Sequence, residues 1–283
     1  MSDSRTLRWN KCPLCRSERR SILVDHGSLA FARCECGLVY KSCGEAKLVE
    51  ETEPTWNKRY DKRQARRVRK ARWQIQDVLN HVEPGPLLDV GCSLGYALEA
   101  AAELGLDAKG LDLNEALIEP CRERGHDVYV GDVAGPYPFP DESFNLVLLK
   151  HVFEHTPEPR AALRELRRVV KPGGAIFIAV PNVEYFKARL APKSYYYFSP
   201  DSGGRYHFVY YTSKHLRRLV DDEGFRTVRV HPHLWHRRVG WRTRLTDLGL
   251  LPCRALDGRF RNAIGLAREF WLIAVKNCNP ASA

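Results

Sequence analysis

Between residues 87 and 180, short continuous apolar runs alternate with segments whose apolar residues recur every three or four positions. Short apolar runs are typical of buried strands, and the wider spacing is typical of amphipathic helices. The predicted strands are 87–90, 108–113, 128–130, 144–149 and 175–180. The predicted helices are 96–104, 115–124 and 159–170. Strands that alternate with helices predict a parallel, doubly wound α/β sheet, which binds ligands at the carboxyl ends of its strands.

A further helical pattern precedes this region. Its apolar residues recur at steps of three and four, namely Val68, Ala71, Ile75, Val78, Leu79 and Val82. A Pro-Gly-Pro sequence at 84–86 ends the pattern, and its other positions are rich in Lys and Arg. We therefore predict that 46–85 is a basic linker that contains one helix.

The positive charge of the chain is concentrated in two segments. The formal net charge is +11, from 45 Lys and Arg against 34 Asp and Glu. Residues 57–73 hold nine Lys or Arg and one Asp, and residues 234–268 hold eight Arg and two Asp, which leaves the remainder slightly acidic. Such segments can be footprints for RNA, DNA or anionic lipid, or simply solvated helix faces. Both interpretations stay open at this point.

The composition is that of a globular protein. The 283 residues are 44% hydrophobic and 28% charged, which predicts one large domain, with or without a small appendage. No apolar run approaches the ~20 residues that a membrane span needs, and the first residues lack the apolar stretch of a signal peptide. We expect a soluble, cytoplasmic protein without a transmembrane segment.

The cysteines are concentrated near the amino terminus. Five of the nine precede residue 44, and they include the pairs Cys12-x2-Cys15 and Cys34-x-Cys36. Two close pairs at this separation predict a tetrahedral, structural Zn²⁺ site in a small zinc-ribbon-like module at 1–45. Cys43 could replace Cys34 or Cys36, and a disulfide pair is the alternative that a cytoplasmic chain disfavours. The remaining cysteines, Cys92, Cys121, Cys253 and Cys278, are isolated and are interpreted as small buried residues.

The turn after the first predicted strand of the α/β region carries the clearest chemical signal. It reads D-V-G-C-S-L-G from Asp89 to Gly95, so the acidic residue precedes the glycines and the dinucleotide pattern G-x-G-x-x-G is absent. Glycines allow a tight turn close to a ligand, and Asp89 could hold a cationic amine through water. Asp112 closes the second strand, where a carboxylate can hold ribose hydroxyls. Asp132 follows the third, where it can accept from an adenine amino group.

These residues resemble the class I S-adenosylmethionine-dependent methyltransferases. The matching stretches are LLDVGCSLG, GLDLN, VGD, the run from PFPDESF to IAVPN, and YHFVYYTSKHLRRLVDDEGF. The resemblance covers about half the chain and implies a seven-stranded Rossmann-like sheet whose last strand, 270–276, is antiparallel, in a domain at 86–283. Strand six would be 225–230. Ser93 departs from the strictest family motif, which has Gly there.

The resemblance also implies the residues that bind S-adenosylmethionine. Asp89 and Gly91 would lie near its methionine part, Asp112 at the ribose and Asp132 at the adenine edge. The full set that we expect at the cofactor is Asp89, Gly91, Cys92, Ser93, Gly95, Asp112, Leu113, Asp132, Val133 and Lys150.

Candidate catalytic residues follow the fourth strand. His151, Glu154 and His155 are spaced to share one face of a helical turn, and a histidine there could deprotonate a hydroxyl acceptor. Quinone-type methyltransferases are similar in this region, with an E-x-x-E-H pattern that can hold a divalent metal; His151 at the first position disfavours an oxygen-rich magnesium site. The alternative is a structural role for Glu154 and His155. His207 is a third candidate base, within an aromatic segment at 195–208 that forms part of the acceptor pocket in the family.

Three functions compete. The first is methyl transfer to a small molecule, with O-methylation of a sugar, glycan precursor or phenolic metabolite as the leading hypothesis, because bacterial methyltransferases with a small zinc-binding module are similar and many act on such metabolites. The second is methylation of guanine in ribosomal RNA, with the zinc module and the basic helix holding the nucleic acid. The third is a non-catalytic binding module, which the three intact aspartates disfavour.

The segment 234–268 is the least family-like. It interleaves Trp and Leu with Arg, a pattern typical of amphipathic helices. We interpret it as an insertion that covers the acceptor site or forms a homodimer; contact with a membrane surface is a third use.

Overall fold

The computed structural model of the protein describes residues 6–45, 64–200, 203–233 and 267–277. The predictions for 234–266, for Cys253 and Cys278, and for the basic residues 57–63 lie outside the described residues. Among the described helices, none is both long and apolar enough to cross a membrane.

The described elements follow the predicted alternation. The strands are β1 (Thr6–Arg8), β2 (Arg20–Asp25), β3 (Ala30–Cys34), β4 (Val39–Glu45), β5 (Leu87–Val90), β6 (Ala108–Asp112), β7 (Asp127–Val130), β8 (Phe144–Lys150), β9 (Val170–Pro181), β10 (Val209–Tyr210), β11 (Phe225–His233) and β12 (Glu269–Lys276). The helices are α1 (Gln64–Leu79), α2 (Tyr96–Glu103), α3 (Glu115–Glu123), α4 (Pro159–Val169), α5 (Phe186–Leu190) and α6 (Ser213–Asp222), with short 3₁₀ turns at Phe153–His155, Pro192–Ser194, Tyr196–Phe198 and Gly203–Arg205.

Seven strands form the large sheet in the order β11-β12-β9-β8-β5-β6-β7. Strands β7, β6, β5, β8 and β9 are parallel to their neighbours. Strand β12 runs antiparallel to both β9 and β11. The α/β class, the seven strands and the antiparallel last strand are therefore confirmed. The carboxyl ends of β5, β6, β7 and β8 meet at one edge, as the predicted site requires.

Helix α1 packs on one face of this sheet through its apolar stripe. Val68, Ala71, Ile75 and Val78 are buried in a cluster that includes Trp271 of β12. The predicted amphipathic pattern is therefore confirmed, although the helix ends at Leu79, before the sixth apolar position. Its basic residues lie on the remaining faces.

The amino-terminal strands form a second sheet that is joined to the large domain. The order is β1-β4-β3-β2, and β10 pairs with β4 outside this path, at the end of β4 that β1 does not cover. Val209 lies opposite Tyr40, and Tyr210 lies opposite Val39. The buried core is also continuous, because Leu38 and Tyr40 share a cluster with Phe208. A strand from the large domain thus completes the sheet of the cysteine-rich region.

Candidate functional site

The turn after β5 needs glycine at one position for two reasons. Gly91 has a φ of +74°, and a Cβ added there would stand 2.0 Å from Cγ2 of Val152. The turn continues with Ser93 at φ +48° and Gly95 at φ +75°, so the left-handed region is used three times within five residues. Helix α2 begins directly afterwards at Tyr96. The absence of a side chain at Gly91 lets Val152 pack directly against the backbone of this turn.

The Asp112 carboxylate connects this turn to the end of β6 by hydrogen bonds. Its carboxylate accepts hydrogen bonds from the backbone N–H of Ser93 (2.8 Å) and of Asn114 (2.9 Å). The N–H of Gly91 donates to the carbonyl of Leu111 at 2.6 Å. Burial raises the pKa of Asp112, while the backbone N–H groups act in the opposite direction. Asp112 therefore lies beside the glycine turn, where the sequence placed it.

Asp89, which is buried, and Lys150, which is half-buried, carry opposite charges at adjacent strand ends. Asp89 is only 5% exposed, and burial raises its pKa to about 7, against the attraction of Lys150. Burial also lowers the pKa of Lys150 to about 8, and the neighbouring Lys70 acts in the same direction. No hydrogen bond reaches the Lys150 ammonium group from the described residues. Among the described residues, opposite charges therefore offset the burial of these two groups only in part.

Three further residues near this pair escaped the sequence analysis. Arg67 lies over the ring of Tyr96 at 5.5 Å, and Lys70 Nζ contacts Glu269 Oε1 at 2.9 Å. Both cations belong to α1 and are half-buried, whereas Arg66 and Arg69 are exposed. The only available signal was the position of Arg67 and Lys70 beside the apolar stripe, at one residue before Val68 and one before Ala71. Glu269 had none, because it follows the least family-like segment.

The remaining predicted cofactor residues surround the ends of β6 and β7. Asp132 accepts a hydrogen bond from the N–H of Ala134 at 2.7 Å, and the hydroxyl of Tyr137 donates to the carbonyl of Val133 at 2.9 Å. Leu113 is exposed. Cys92 is buried under the turn, where its sulfur would contact a Cβ added at Gly110. Cys92 thus packs behind the turn, with its side chain in the core.

His151 lies between two carboxylates. Its Nε2 is 2.8 Å from Glu269 Oε2, and its Nδ1 is 3.5 Å from Glu154 Oε1. Burial disfavours the charged imidazole, but the two carboxylates outweigh burial and raise the pKa of His151 to about 9. Its backbone has a φ of +55°, and the 3₁₀ turn begins only at Phe153. The imidazole is thus protonated at neutral pH.

Glu154, His155 and His207 come together although two segments supply them. Each offers one potential ligand atom, and the three atoms lie within 4.8 Å of one another. The rings of His155 and His207 are 4.7 Å apart, and Tyr197 stacks on His207 at 4.8 Å. Burial lowers the pKa of His207 to about 3, so this imidazole is neutral. The cluster lies one turn beyond β8, at the carboxyl edge of the sheet.

Four cysteines form a second cluster in the amino-terminal sheet. Cys12, Cys15, Cys34 and Cys36 each offer a sulfur within 4.8 Å of the others. The closest pairs are Cys15–Cys34 at 3.4 Å and Cys12–Cys36 at 3.8 Å. Cys43 is outside this group and points to the carbonyl of Ser28. Four convergent thiols suit a tetrahedral Zn²⁺ ion, which deprotonates its thiol ligands.

Comparison with known proteins agrees with this architecture. Residues 88–178 match the family described as methyltransferase domain. A demethylmenaquinone methyltransferase of Renibacterium salmoninarum is 29% identical over 135 residues, which are 47% of this chain and 57% of that protein. A ubiquinone biosynthesis O-methyltransferase of Methylococcus capsulatus is 35% identical over 101 residues, or 34% and 43% of the two chains. The chain thus spans about half the length of the curated relatives it matches.

Two solved structures share the fold over most of the chain. One is a chain in the complex between the Haloferax volcanii Trm112 methyltransferase activator and its methyltransferase, with a TM-score of 0.56, 18% identity, and coverage of 77% of this chain and 95% of that one. The other is a SAM-dependent methyltransferase from Archaeoglobus fulgidus, with a TM-score of 0.52, 21% identity, and coverage of 74% and 94%. These two structures have the same fold as this chain, and the match to the methyltransferase domain family covers residues 88–178 within that fold.

Proposed function

We propose that this protein transfers the methyl group of S-adenosylmethionine to a small-molecule acceptor. An oxygen of a sugar, glycan precursor or phenolic metabolite is the acceptor that we favour. The observation that carries the proposal is the row of three carboxylates, Asp89, Asp112 and Asp132, at the ends of three adjacent parallel strands beside the glycine turn. The curated relatives named above support a small acceptor.

Each part of the cofactor has a matching group in this site. The cationic amine of its methionine part would meet Asp89, and the carboxylate would meet Arg67, Lys70 and Lys150, whose charges lie together. The ribose hydroxyls would bind Asp112. Asp132 would accept from the adenine amino group, and Leu113 and Val130, both exposed apolar side chains, would cover the adenine faces. Bound cofactor supplies the activated methyl group.

The residues of the chain would align the acceptor and bind or accept the proton of its hydroxyl group. Methyl transfer from a sulfonium requires the nucleophile in line with the methyl group, which a rigid site provides. His151 is already protonated at neutral pH, so it would act as a hydrogen-bond donor and cation, and not as the base that its sequence position suggested. His207 is neutral but a weak base. The groups left to face an acceptor hydroxyl are therefore Glu154 and His155, with His207 beside them.

The structural zinc belongs to the same proposal. We place it on Cys12, Cys15, Cys34 and Cys36, where it would fix the sheet that β10 completes. The residues fit such an ion because four sulfurs converge within 4.8 Å of one another. Its role would be to stabilise strand β4, which pairs with β10 next to His207, and not to take part in methyl transfer.

Replacing Asp112 by Ala tests the cofactor site. We expect the affinity for S-adenosylmethionine in isothermal titration to fall by at least about tenfold, because a bidentate charge-assisted contact contributes ~1.5–3 kcal/mol. The matched control is Asp107→Ala, at the exposed amino end of the same strand. Unchanged affinity in Asp112→Ala would refute the placement of the ribose.

A second measurement separates the acceptor classes. The wild-type protein is incubated with labelled cofactor and either a panel of sugars and phenols or total ribosomal RNA. We expect label in the small molecules. Label in RNA, with binding that weakens steeply with salt, would instead support the RNA alternative. Absence of cofactor binding would support a non-catalytic module.

A further inference from the structure

The cluster of Glu154, His155 and His207 has an unusual combination of burial and missing hydrogen bonds. Glu154 is 1% exposed and His207 is 7% exposed. Neither carboxylate oxygen of Glu154 has a hydrogen-bond partner among the described residues, and Nδ1 of His207 has none either. A buried carboxylate without hydrogen bonds is costly unless a cation or donor satisfies it.

His151 compensates Glu154 only in part. The distance from His151 Nδ1 to Glu154 Oε1 is 3.5 Å, which is long for a hydrogen bond. The other ring nitrogen, Nε2, lies 2.8 Å from Glu269 Oε2. His151 is therefore turned toward Glu269. The Glu154 carboxylate also lies within 4.8 Å of a nitrogen of His155 and of His207.

His155 is oriented as metal-binding histidines are. Its Nδ1 lies 3.1 Å from the carbonyl of Tyr206, which fixes the tautomer with the proton on Nδ1 and leaves Nε2 with a free lone pair. A backbone carbonyl on the far nitrogen is the usual partner of a histidine that ligates a metal. The residue that supplies this carbonyl directly precedes His207, so one short segment both orients the second donor and supplies the third.

We propose that Glu154, His155 and His207 bind a divalent transition-metal ion. Two imidazoles and one carboxylate suit Zn²⁺, Co²⁺ or Fe²⁺, whereas Mg²⁺ and Ca²⁺ prefer oxygen ligands. Ligand atoms now within 4.8 Å would close by roughly 1 Å around an ion that lies ~2.1 Å from each. Three protein ligands leave a coordination position open, which an oxygen of the acceptor would take.

This site would deepen the proposed function and rests on it for its acceptor. The ion would hold the acceptor hydroxyl and lower its pKa, so that its proton leaves to water, the oxygen takes the methyl group and S-adenosylhomocysteine is released. His155 would then act as a ligand, not as a free base. The donor set differs from an oxygen-rich one because the first position of the local motif, His151, is bound to Glu269, and His207 from a distant segment replaces it.

The experiment must separate this ion from the cysteine-bound zinc. The full-length protein is first saturated with one equivalent of Zn²⁺, which the four thiols take, and then titrated with Co²⁺ alone. We expect a second site with visible d–d absorption and no thiolate-to-cobalt charge transfer. Glu154→Gln and His207→Gln should each weaken Co²⁺ binding by at least about tenfold.

The control is His126→Gln, a half-buried histidine outside the cluster, which should leave Co²⁺ affinity unchanged. Titration of each variant with S-adenosylmethionine reports whether the fold persists, and His155→Gln replaces any variant that does not fold. If the wild type binds the cofactor but no Co²⁺ beyond the thiol site, or if the variants bind it equally, the metal proposal is wrong while the proposed function stands. If the wild type does not bind the cofactor, the proposed function itself fails.

Discussion

Asp89 occupies a place that disfavours its own charge. It is buried at the end of β5, its pKa is raised to about 7 by burial, and Lys150 compensates it only in part. A carboxylate in such a place binds a cationic group more strongly than one in water, because the surrounding dielectric is low. Burial of the Asp89 carboxylate therefore lowers the free energy of unfolding, and we propose that the same burial strengthens its binding of the cofactor amine.

The substitution Asp89→Asn tests whether the buried charge lowers the free energy of unfolding. The folded-state pKa lies above the ordinary value of 3.8, so the folded protein holds this proton more tightly, and the free energy of unfolding falls as pH rises from about 4 through about 7. At pH 8 the Asn variant should unfold a few degrees above wild type in a thermal melt without cofactor, and the difference should shrink at pH 5.

The same variant should lose the thermal shift that S-adenosylmethionine produces in wild type. Asp107→Asn, whose carboxylate is exposed, should behave like wild type in both respects. A full cofactor-induced shift in Asp89→Asn would contradict the assigned role of Asp89.

At the scale of elements, the pairing of β4 with β10 joins the two sheets of the molecule. Tyr40 and Val39 face Val209 and Tyr210 across this ladder, and His207 lies two residues before β10. Additional contacts tie the thiol cluster to α6, since Nε2 of His215 lies 3.0 Å from the carbonyl of Cys36. Any loss of order in the cysteine-rich sheet should therefore also destabilise residues 207–211.

Cysteine substitutions test this connection. Cys34→Ser should remove the ~1 equivalent of Zn²⁺ that we expect on the four thiols by elemental analysis, and should raise hydrogen exchange at 207–211, because β10 loses its partner strand. Cys43→Ser is the matched control, since its sulfur is outside the cluster, and should retain the metal and the protection. A zinc-free, stably folded wild type would refute the zinc site.

At the scale of the whole molecule, some of the basic side chains point toward the large sheet and others point to solvent. On α1, Arg67 and Lys70 turn toward the strand edge that carries Asp89 and Lys150, while Arg66 and Arg69 remain exposed. Part of the basic stripe thus faces the proposed cofactor site. The net charge of +11 is accordingly a poor guide to the partner.

The substitutions Arg67→Ala and Arg66→Ala separate these two uses of charge. Arg67→Ala should weaken S-adenosylmethionine binding about tenfold in isothermal titration, because it removes a cation from the expected carboxylate position. Arg66→Ala, its exposed neighbour, should not. Equal and salt-dependent losses of RNA binding in both variants, without loss of cofactor affinity, would instead assign the whole helix to nucleic acid.

The local pattern of the chain was enough to predict the α/β sheet, because short apolar runs and helical spacings are set by which residues must be buried. It also located the glycine turn and the strand-end aspartates, since a parallel sheet brings all its carboxyl ends to one edge. Family resemblance added the antiparallel strand β12, which no local pattern distinguishes from a parallel one.

Only the tertiary structure decided the contacts between residues that are far apart in the chain. It selected Cys34 and Cys36 over Cys43, turned Arg67 and Lys70 inward, placed Glu269 against His151, and brought His207 to Glu154 and His155. Spacing along one segment fixes which side chains share a local face, but not which distant segment packs opposite. The sequence therefore determined the fold and the strand edge that we propose for the cofactor, and the packing of separate segments decided which charged and imidazole groups meet at Glu154.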